Sequence, residues 1–478
     1  MPAEINLLCN GRRKIIRELI ANQELRTADG TMSEAALSSN HAPITFQQEF
    51  ALNYFNEAFF VLYRARLCGA LNSDALSESV SALVQRHEAL RSKIVVADMV
   101  LRQRVDAFNG FSLKIVRLVR SPAEDVDAVI QNQVAEFVDR WLRTAEVTFD
   151  ALLIEVADDD HVLIVVWDHF FQDHLSGVNL VRELWTVYKN RILRGAEPPT
   201  PKSIQYRDYA VWQRREYPRW REQNSQYWTN RLCGVAPIKL PIESVADDLK
   251  SRLQSIEFSF GGPLSLALEG VARCQKIDLP IIVLAVIAIA ISRWSGQRDF
   301  AMPFTFSGRC HAIHMGIMGY FINFVPLRIT LSGEQVFASL FRCTSREFVS
   351  AIQHLDVGKI VDKELPGLVI GPYFQWFSKR PIVTAAMRPE PSVWDEGEQQ
   401  LSIKLFAAKW QVPEERKDMF AFPMSLQCCK AAEGILAQGW YRADLFSNDS
   451  IQRFLRDLTL IAQYVVRDVD APLSSLLS

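Results

Sequence analysis

The sequence predicts a mixed α/β (α+β) fold built in two lobes. Three observations carry that expectation. Helix-period and strand-period segments alternate from about Pro43 to the end of the chain. A proline-dense stretch, Arg194 to Pro201, interrupts them near the middle. Each half then holds strands as well as helices, so each can close a layered core of its own.

The elements follow in order. Residues 1–40 stand apart as an N-terminal appendage: a short helix candidate around Arg13 to Leu25 precedes the polar Arg26 to Asn40, which holds little to bury. Residues 41–200 are expected to form the N-terminal lobe. Ser73 is the N-cap candidate of a helix carrying Leu76, Val80, Leu83 and Val84 on one face and ending near Arg86. Leu152 to Val156 and Val162 to Trp167 are β-rich runs joined by Ala157-Asp158-Asp159-Asp160, a hairpin signal, and a helix follows from Ser176 to about Lys189. Residues 201–235, rich in Trp and Arg, are expected to be a connector, and residues 236–478 the C-terminal lobe. That lobe should contain a strand at Ile256 to Phe260, a buried helix at Ile281 to Trp294, and a last amphipathic helix burying Ile451, Phe454, Leu455, Leu458, Ile461 and Val465.

Composition narrows the function. Lys and Arg number 53 against 55 Asp and Glu, a net charge of −2, so no basic field exists to hold a nucleic-acid backbone or an anionic membrane. The 49% hydrophobic content, with 11 Trp and 28 Phe, supports packed cores rather than disorder. The most apolar run, Leu279 to Ile291, contains Pro280 and falls short of the ~20 residues of a membrane span. The eight cysteines include no Cys-x-x-Cys pair, which suggests neither a disulfide framework nor a thiolate zinc site. Reduced thiols in a cytoplasmic protein are the expectation.

The chemistry concentrates in Trp167-Asp168-His169-Phe170-Phe171-Gln172-Asp173-His174-Leu175-Ser176-Gly177. Four ionisable side chains, Asp168, His169, Asp173 and His174, follow a buried strand and precede a helix N-terminus. A turn there can hold a neutral imidazole rigidly enough to take a proton from an attacking hydroxyl or amine. The spacing His-x-x-x-Asp is short and leaves other readings open: a polar loop bonding to backbone and water, or a metal site on the same four residues, although no outside ligand cluster is indicated.

Asp168 to Leu184 resembles the His-His-x-x-x-Asp-Gly motif of nonribosomal peptide synthetase condensation domains, with its following Ser and helix ending Arg-Glu-Leu. Further segments match that family in order. Arg86-His87-Glu88-Ala89-Leu90-Arg91 is similar to Arg-His-Glu-x-Leu-Arg, and Tyr206 to Gln213 to Tyr-x-Asp-Tyr-Ala-x-Trp-Gln. Gly319-Tyr320-Phe321-Ile322-Asn323 with Arg328 resembles Gly-x-Phe-x-Asn…Arg; weaker echoes are Ile44 to Gln48 and Gln353 to Val357. The resemblance covers about residues 41–478.

What it implies is a chloramphenicol-acetyltransferase-like pair of lobes in a V, with the His loop at the floor of a tunnel between them. His169 would serve as the base at a thioester carbonyl. Asp173 would be structural, through a salt bridge to Arg91 or alternatively Arg86. Trp212 and Asn323 would pack lobes and fix loops. No cofactor would be bound: phosphopantetheine would arrive on an acyl-loaded carrier protein, and the acceptor would be a small amine or alcohol, or a second carrier. Two departures stand out. Asp168 replaces the family's first His, and His174 its Gly, so that Asp168, Asp173 and Ser176 also satisfy the Asp-x-x-x-x-Asp-x-x-Ser signature of heterocyclisation domains. A catalytically inactive carrier-docking scaffold is a further alternative. With no adenylation or carrier-attachment motif in view, a free-standing enzyme is expected. The basic N-terminal helix candidate (Arg12, Arg13, Lys14) would either steer an acidic carrier or simply pack or fray.

Overall fold

In a computed structural model of the chain, the structure describes residues 5–6, 26–27, 40–54, 60–97, 99–118, 125–144, 147–195, 204–243, 253–355, 371–377, 392–394, 401–406 and 422–477. The helix candidate at Arg13 to Leu25, with its basic cluster, residues 28–39 of the polar stretch after it, and residues 196–201 of the proline-rich segment lie outside these residues, as do Asp356 and Val357.

Two compact units divide the chain, and they are not consecutive in sequence. The first comprises residues 1–219, 309–321 and 381–411; the second comprises 220–308, 322–380 and 412–478. A simple division at 201–235 therefore does not describe the molecule. Strand Leu401–Phe406 pairs antiparallel with Phe60–Cys68 in the first unit's sheet, and Arg309–Phe321 belongs to that unit too.

The first unit is organised on a six-stranded sheet in the order 392–394, 401–406, 60–68, 160–168, 149–157, 114–117. Its centre is the hairpin legible in the sequence. Phe149–Ala157 and Asp160–Asp168 pair antiparallel around the acidic turn, with a register shift between Glu155 and Ala157. Nearly every residue of Asp160–Asp168 is buried, as befits a strand covered on both faces and written as a continuous apolar run. Helix Ser73–Arg86 buries Leu76, Val80, Leu83 and Val84 as expected, but its N-cap is Asn72, whose side chain accepts from the Ala75 N–H at 2.9 Å. Ser73 instead donates its hydroxyl to Glu155 at 3.2 Å. The helix after the His169 loop also starts earlier and ends later than the spacing suggests. It spans His174–Arg194, capped by Asp173 and terminated by Gly195 in the left-handed region at φ 62.

Residues expected to be a connector form the 27-residue helix Tyr206–Leu232. Its buried positions, Tyr206, Tyr209, Ala210, Gln213 and Arg214, recur at helical spacing. Pro218 sits inside it, and the division between the units falls one residue beyond, between Arg219 and Trp220. A proline there removes one ladder hydrogen bond.

The second unit has its own six-stranded sheet, in the order 253–259, 434–442, 424–431, 373–377, 299–306, 323–330. Every residue from Ile281 to Ser292 in helix Leu279–Ser295 is buried, which accounts for its unbroken apolar run. Helix Asn448–Arg467 buries all six residues assigned to its inner face. Arg328, in strand Asn323–Thr330, donates to both carboxylate oxygens of Asp299 at 2.6 and 2.9 Å and to the Arg231 carbonyl at 3.0 Å, a structural role within this unit. Among the described residues no single helix is long and apolar enough to cross a membrane.

Candidate active site

The segment carrying His169 begins where strand Asp160–Asp168 ends, and each of its side chains has a traceable local reason for its place. Asp168 is buried and caps the single helical turn His169–Phe171, its carboxylate accepting from the Phe170 N–H at 2.9 Å. Its own N–H donates to the Thr148 carbonyl at 2.9 Å. The aspartate that stands where the resemblance has a first histidine thus shapes the turn that presents His169.

His169 Nδ1 lies 2.9 Å from the Gln172 carbonyl oxygen. A carbonyl can only accept, so Nδ1 carries the proton and, in the neutral ring, Nε2 carries the lone pair. Burial holds the imidazole below the ordinary histidine range, partly offset by its backbone hydrogen bonds and by the charge of Asp173. The ring also meets Tyr320 edge to face at 5.4 Å. A neutral imidazole with a basic Nε2 is the state a proton acceptor needs near neutral pH.

Asp173 and Ser176 anchor the far end of the loop. Asp173 Oδ1 accepts from both the Ser176 N–H and the Ser176 hydroxyl at 2.8 Å, which makes it the N-cap of helix His174–Arg194. Its carboxylate is gripped by Arg309, with Nε to Oδ2 at 2.9 Å and Nη2 to Oδ1 at 2.8 Å. Both side chains are almost wholly buried. Arg309 further donates to the carbonyls of His314 and Ile317 and lies over the Phe321 ring at 4.1 Å. The assignment of Arg91 or Arg86 to Asp173 is therefore corrected. Arg91 faces Glu88 at 3.9 Å and donates to the Asp106 carbonyl, whereas Arg86 faces Glu183 at 3.4 Å. Each is already held by another acidic or carbonyl partner, and nothing near Asp173 in the sequence points to Arg309, 136 positions away, as the residue that supplies the charge.

Four other motif segments converge on this loop within the first unit. Thr45 and Gln48 form a reciprocal capping box: the Thr45 hydroxyl accepts from the Gln48 N–H at 3.1 Å, and the Gln48 side chain accepts from the Thr45 N–H at 3.0 Å. That fixes Gln48, whose amide donates to the Phe170 carbonyl at 2.9 Å. Tyr206 donates to the Tyr320 carbonyl at 2.5 Å and shares a hydrogen bond with Thr45 at 2.9 Å. The Gly319 N–H donates to the Ser176 hydroxyl oxygen at 3.0 Å, and the Gly319 carbonyl oxygen lies 3.0 Å from that same hydroxyl. Glycine is required there for space, because a Cβ would sit 2.1 Å from the Tyr206 ring. His87 donates to Glu183 at 2.8 Å and so ties the Arg86–Arg91 motif to helix His174–Arg194.

The remaining expected residues are more peripheral. His174 opens the helix half-buried, with burial holding its pKa below the ordinary value. Trp212 is exposed; its ring meets Tyr209 at 5.8 Å and His314 at 6.1 Å, within the first unit. Asn323 is buried at the start of strand Asn323–Thr330, opposite Phe306, in the second unit. Among the described residues no group of three His, Cys, Asp or Glu side chains is placed to hold a metal ion.

Comparison with known proteins fits this arrangement. The family model described as Condensation domain matches residues 39–478. Bacitracin synthase 3 of Bacillus licheniformis is 23% identical over 468 residues, which cover 93% of this chain and 7% of that protein. The beauvericin nonribosomal cyclodepsipeptide synthetase of Beauveria bassiana is 29% identical over 319 residues, 64% of this chain and 10% of that protein. The chain thus spans at most a tenth of the length of these two curated relatives. Among solved structures, SgcC5 protein from Streptomyces globisporus, crystallised with (R)-(-)-1-(2-naphthyl)-1,2-ethanediol and sucrose, superposes with a TM-score of 0.69 at 22% identity, covering 90% of this chain and 100% of that one. That match shows a shared fold, the chloramphenicol-acetyltransferase-like fold of condensation domains. On the family match over nearly its whole length, the chain belongs to the condensation domains of nonribosomal peptide synthesis, a family of acyltransferases.

Proposed function

We propose that this chain transfers an acyl group from a carrier-protein phosphopantetheine thioester to an amine or alcohol acceptor. The single observation that supports this most is the His169 geometry: Nδ1 is tied to the Gln172 carbonyl at 2.9 Å, and burial disfavours the imidazolium, so that Nε2 is left unprotonated with its lone pair available. In the reaction, Nε2 takes the proton of the acceptor's O–H or N–H as its heteroatom attacks the thioester carbonyl. The carbon–sulfur bond then breaks, and the proton returns to the departing thiolate. The products are an ester or amide and a free phosphopantetheine thiol, with no water lost and no redox change.

An alcohol acceptor is as well supported as an amine. SgcC5, a structural relative, was crystallised with an aryl ethanediol, and a curated relative is a cyclodepsipeptide synthetase, a class whose products contain esters. The test is intact-mass analysis of an acyl-loaded carrier protein incubated with this protein and a panel of amines and alcohols. The expected outcome is loss of the acyl mass from the carrier and a product equal to acyl group plus acceptor without further dehydration. An azoline formed from a cysteinyl, seryl or threonyl acceptor would replace this reading with heterocyclisation, and no transfer to any acceptor would favour a docking scaffold.

A further inference from the structure

The Gln172 carbonyl that sets the His169 tautomer has few supports of its own. The Gln172 N–H reaches the His169 carbonyl only at 3.5 Å, the outer limit of a hydrogen bond. Its backbone is extended, φ −152 and ψ 156, between the His169 turn and the capped helix. Its side chain, by contrast, is buried and anchored: the Tyr63 hydroxyl donates to Gln172 Oε1 at 2.9 Å. Among the described residues the amide nitrogen Nε2 has no hydrogen-bond partner, and the Tyr63 bond is the polar attachment of that side chain. Tyr63 comes from the neighbouring strand Phe60–Cys68 and is itself buried. Its hydroxyl occupies space left by Gly177: a Cβ there would lie 2.1 Å from the Tyr63 oxygen and 2.7 Å from the ring carbon bearing it.

We infer that Tyr63 and Gln172 are positioning residues that hold His169 in its Nδ1–H tautomer, with Gly177 leaving the room Tyr63 needs. The chain of contacts runs from the Tyr63 hydroxyl to the Gln172 side chain, along that residue to its carbonyl, and from the carbonyl to His169 Nδ1. Without the first bond, the oxygen of this buried primary amide loses the partner that holds it, and the loop relaxes to satisfy it. An imidazole that loses this carbonyl is held in the Nδ1–H form more weakly, so the other tautomer, which places the proton on Nε2 and removes the base, gains population.

The consequence for turnover rests on the proposed role of His169; the tautomer does not. The experiment is therefore ¹⁵N NMR of histidine-labelled full-length protein, with His169 assigned by its disappearance in His169→Ala, alongside single-turnover acyl transfer. Two variants keep side-chain bulk: Tyr63→Phe deletes the donor, and Gln172→Met deletes the acceptor while keeping the backbone carbonyl. The expected result is a protonated Nδ1 and an unprotonated Nε2 in the parent. Loss of that signature is expected in either folded variant, with transfer slowed on the order of 10- to 100-fold, as misplacement of a reacting group by a fraction of an ångström to an ångström does. An Nδ1–H signature retained in both variants overturns the inference whatever happens to the rate. A changed tautomer with unchanged turnover upholds the positioning and counts instead against His169 as the base.

Discussion

Arg309 holds both carboxylate oxygens of Asp173, at 2.8 and 2.9 Å, across 136 positions of sequence and almost out of contact with solvent. The same carboxylate caps helix His174–Arg194 through Ser176, so one aspartate joins the strand-to-helix turn to the segment Arg309–Phe321. Its role follows from the energetics of such pairs. Replacing a buried pair by apolar groups can be neutral, but removing one partner strands the other charge.

Asp173→Asn is therefore expected to destabilise the protein by roughly 3–5 kcal/mol, because it leaves the Arg309 guanidinium buried against a neutral amide. Thermal denaturation should show a clear fall in Tm together with lost activity. A variant with parental Tm and no activity would assign Asp173 a direct part in the chemistry instead.

His169→Ala should behave in the opposite way. Loss of His169 removes a neutral ring rather than one partner of a buried ion pair, so Tm should fall far less than in Asp173→Asn, whereas removing a positioned base is expected to slow transfer by ~10²–10⁴-fold. In the parent, the acidic limb of kcat/KM should fall below the ordinary imidazole pKa of 6.5, since burial disfavours the imidazolium. Near-parental turnover in the variant, or an acidic limb above that value, would exclude the assignment.

What could be read from the sequence was what is local. Apolar runs announced the strands Phe149–Ala157 and Asp160–Asp168 and the buried helix Leu279–Ser295, because residues buried on every side need no polar alternation. The cap of helix Ser73–Arg86 was missed by one position because Asn72 and Ser73 are both competent caps, and only the backbone decides between them. Helix Tyr206–Leu232 was obscured by its Arg and Trp content and by Pro218, which reads as a break although the buried positions keep helical spacing on its N-terminal side. His169 and Asp173 stood out through motif order. Arg309 did not, because an ion pair between distant segments is a property of the tertiary fold and leaves no periodicity to detect.

Stability should decline on mild acidification. Burial is the chief cause holding His169, His174 and His314 below the ordinary 6.5, with His311 and Arg309 adding to the effect at His314. Above 6.5 folded and unfolded forms are alike neutral at these rings, and nothing is gained or lost. Below it the unfolded chain binds protons that the folded chain resists, so the unfolded state gains until the lowered folded pKa values are passed. Tm is expected to be lower at about pH 5.5 than at about pH 7.5, with a shallower slope in His174→Gln. Glu183, where desolvation raises the pKa but is outweighed by the combined bonds and charges of His87 and Arg86, ends below its ordinary value and adds a loss only below 4.5. A Tm that is flat or rises between those two pH values would contradict the burial of these rings as neutral species.

Gly319→Ala tests the steric core of the site without touching an ionisable group. The added Cβ would fall 2.1, 2.4 and 2.6 Å from three carbons of the Tyr206 ring. That ring has little freedom to retreat, since it is buried and its hydroxyl is committed to Thr45 and to the Tyr320 carbonyl. Gly319 is equally constrained by the bond its N–H donates to the Ser176 hydroxyl at 3.0 Å. Overpacking of this kind typically costs about 1–3 kcal/mol. The expected outcome is a lowered Tm, with slower transfer because the Ser176 contact is displaced at the helix end that carries Asp173. Tyr206→Leu removes the colliding ring, so combining it with Gly319→Ala should be less damaging than the sum of the two single changes, the non-additivity that marks residues in direct contact. Simple additivity, or a Gly319→Ala protein as stable as the parent, would show that the ring does not press on this glycine.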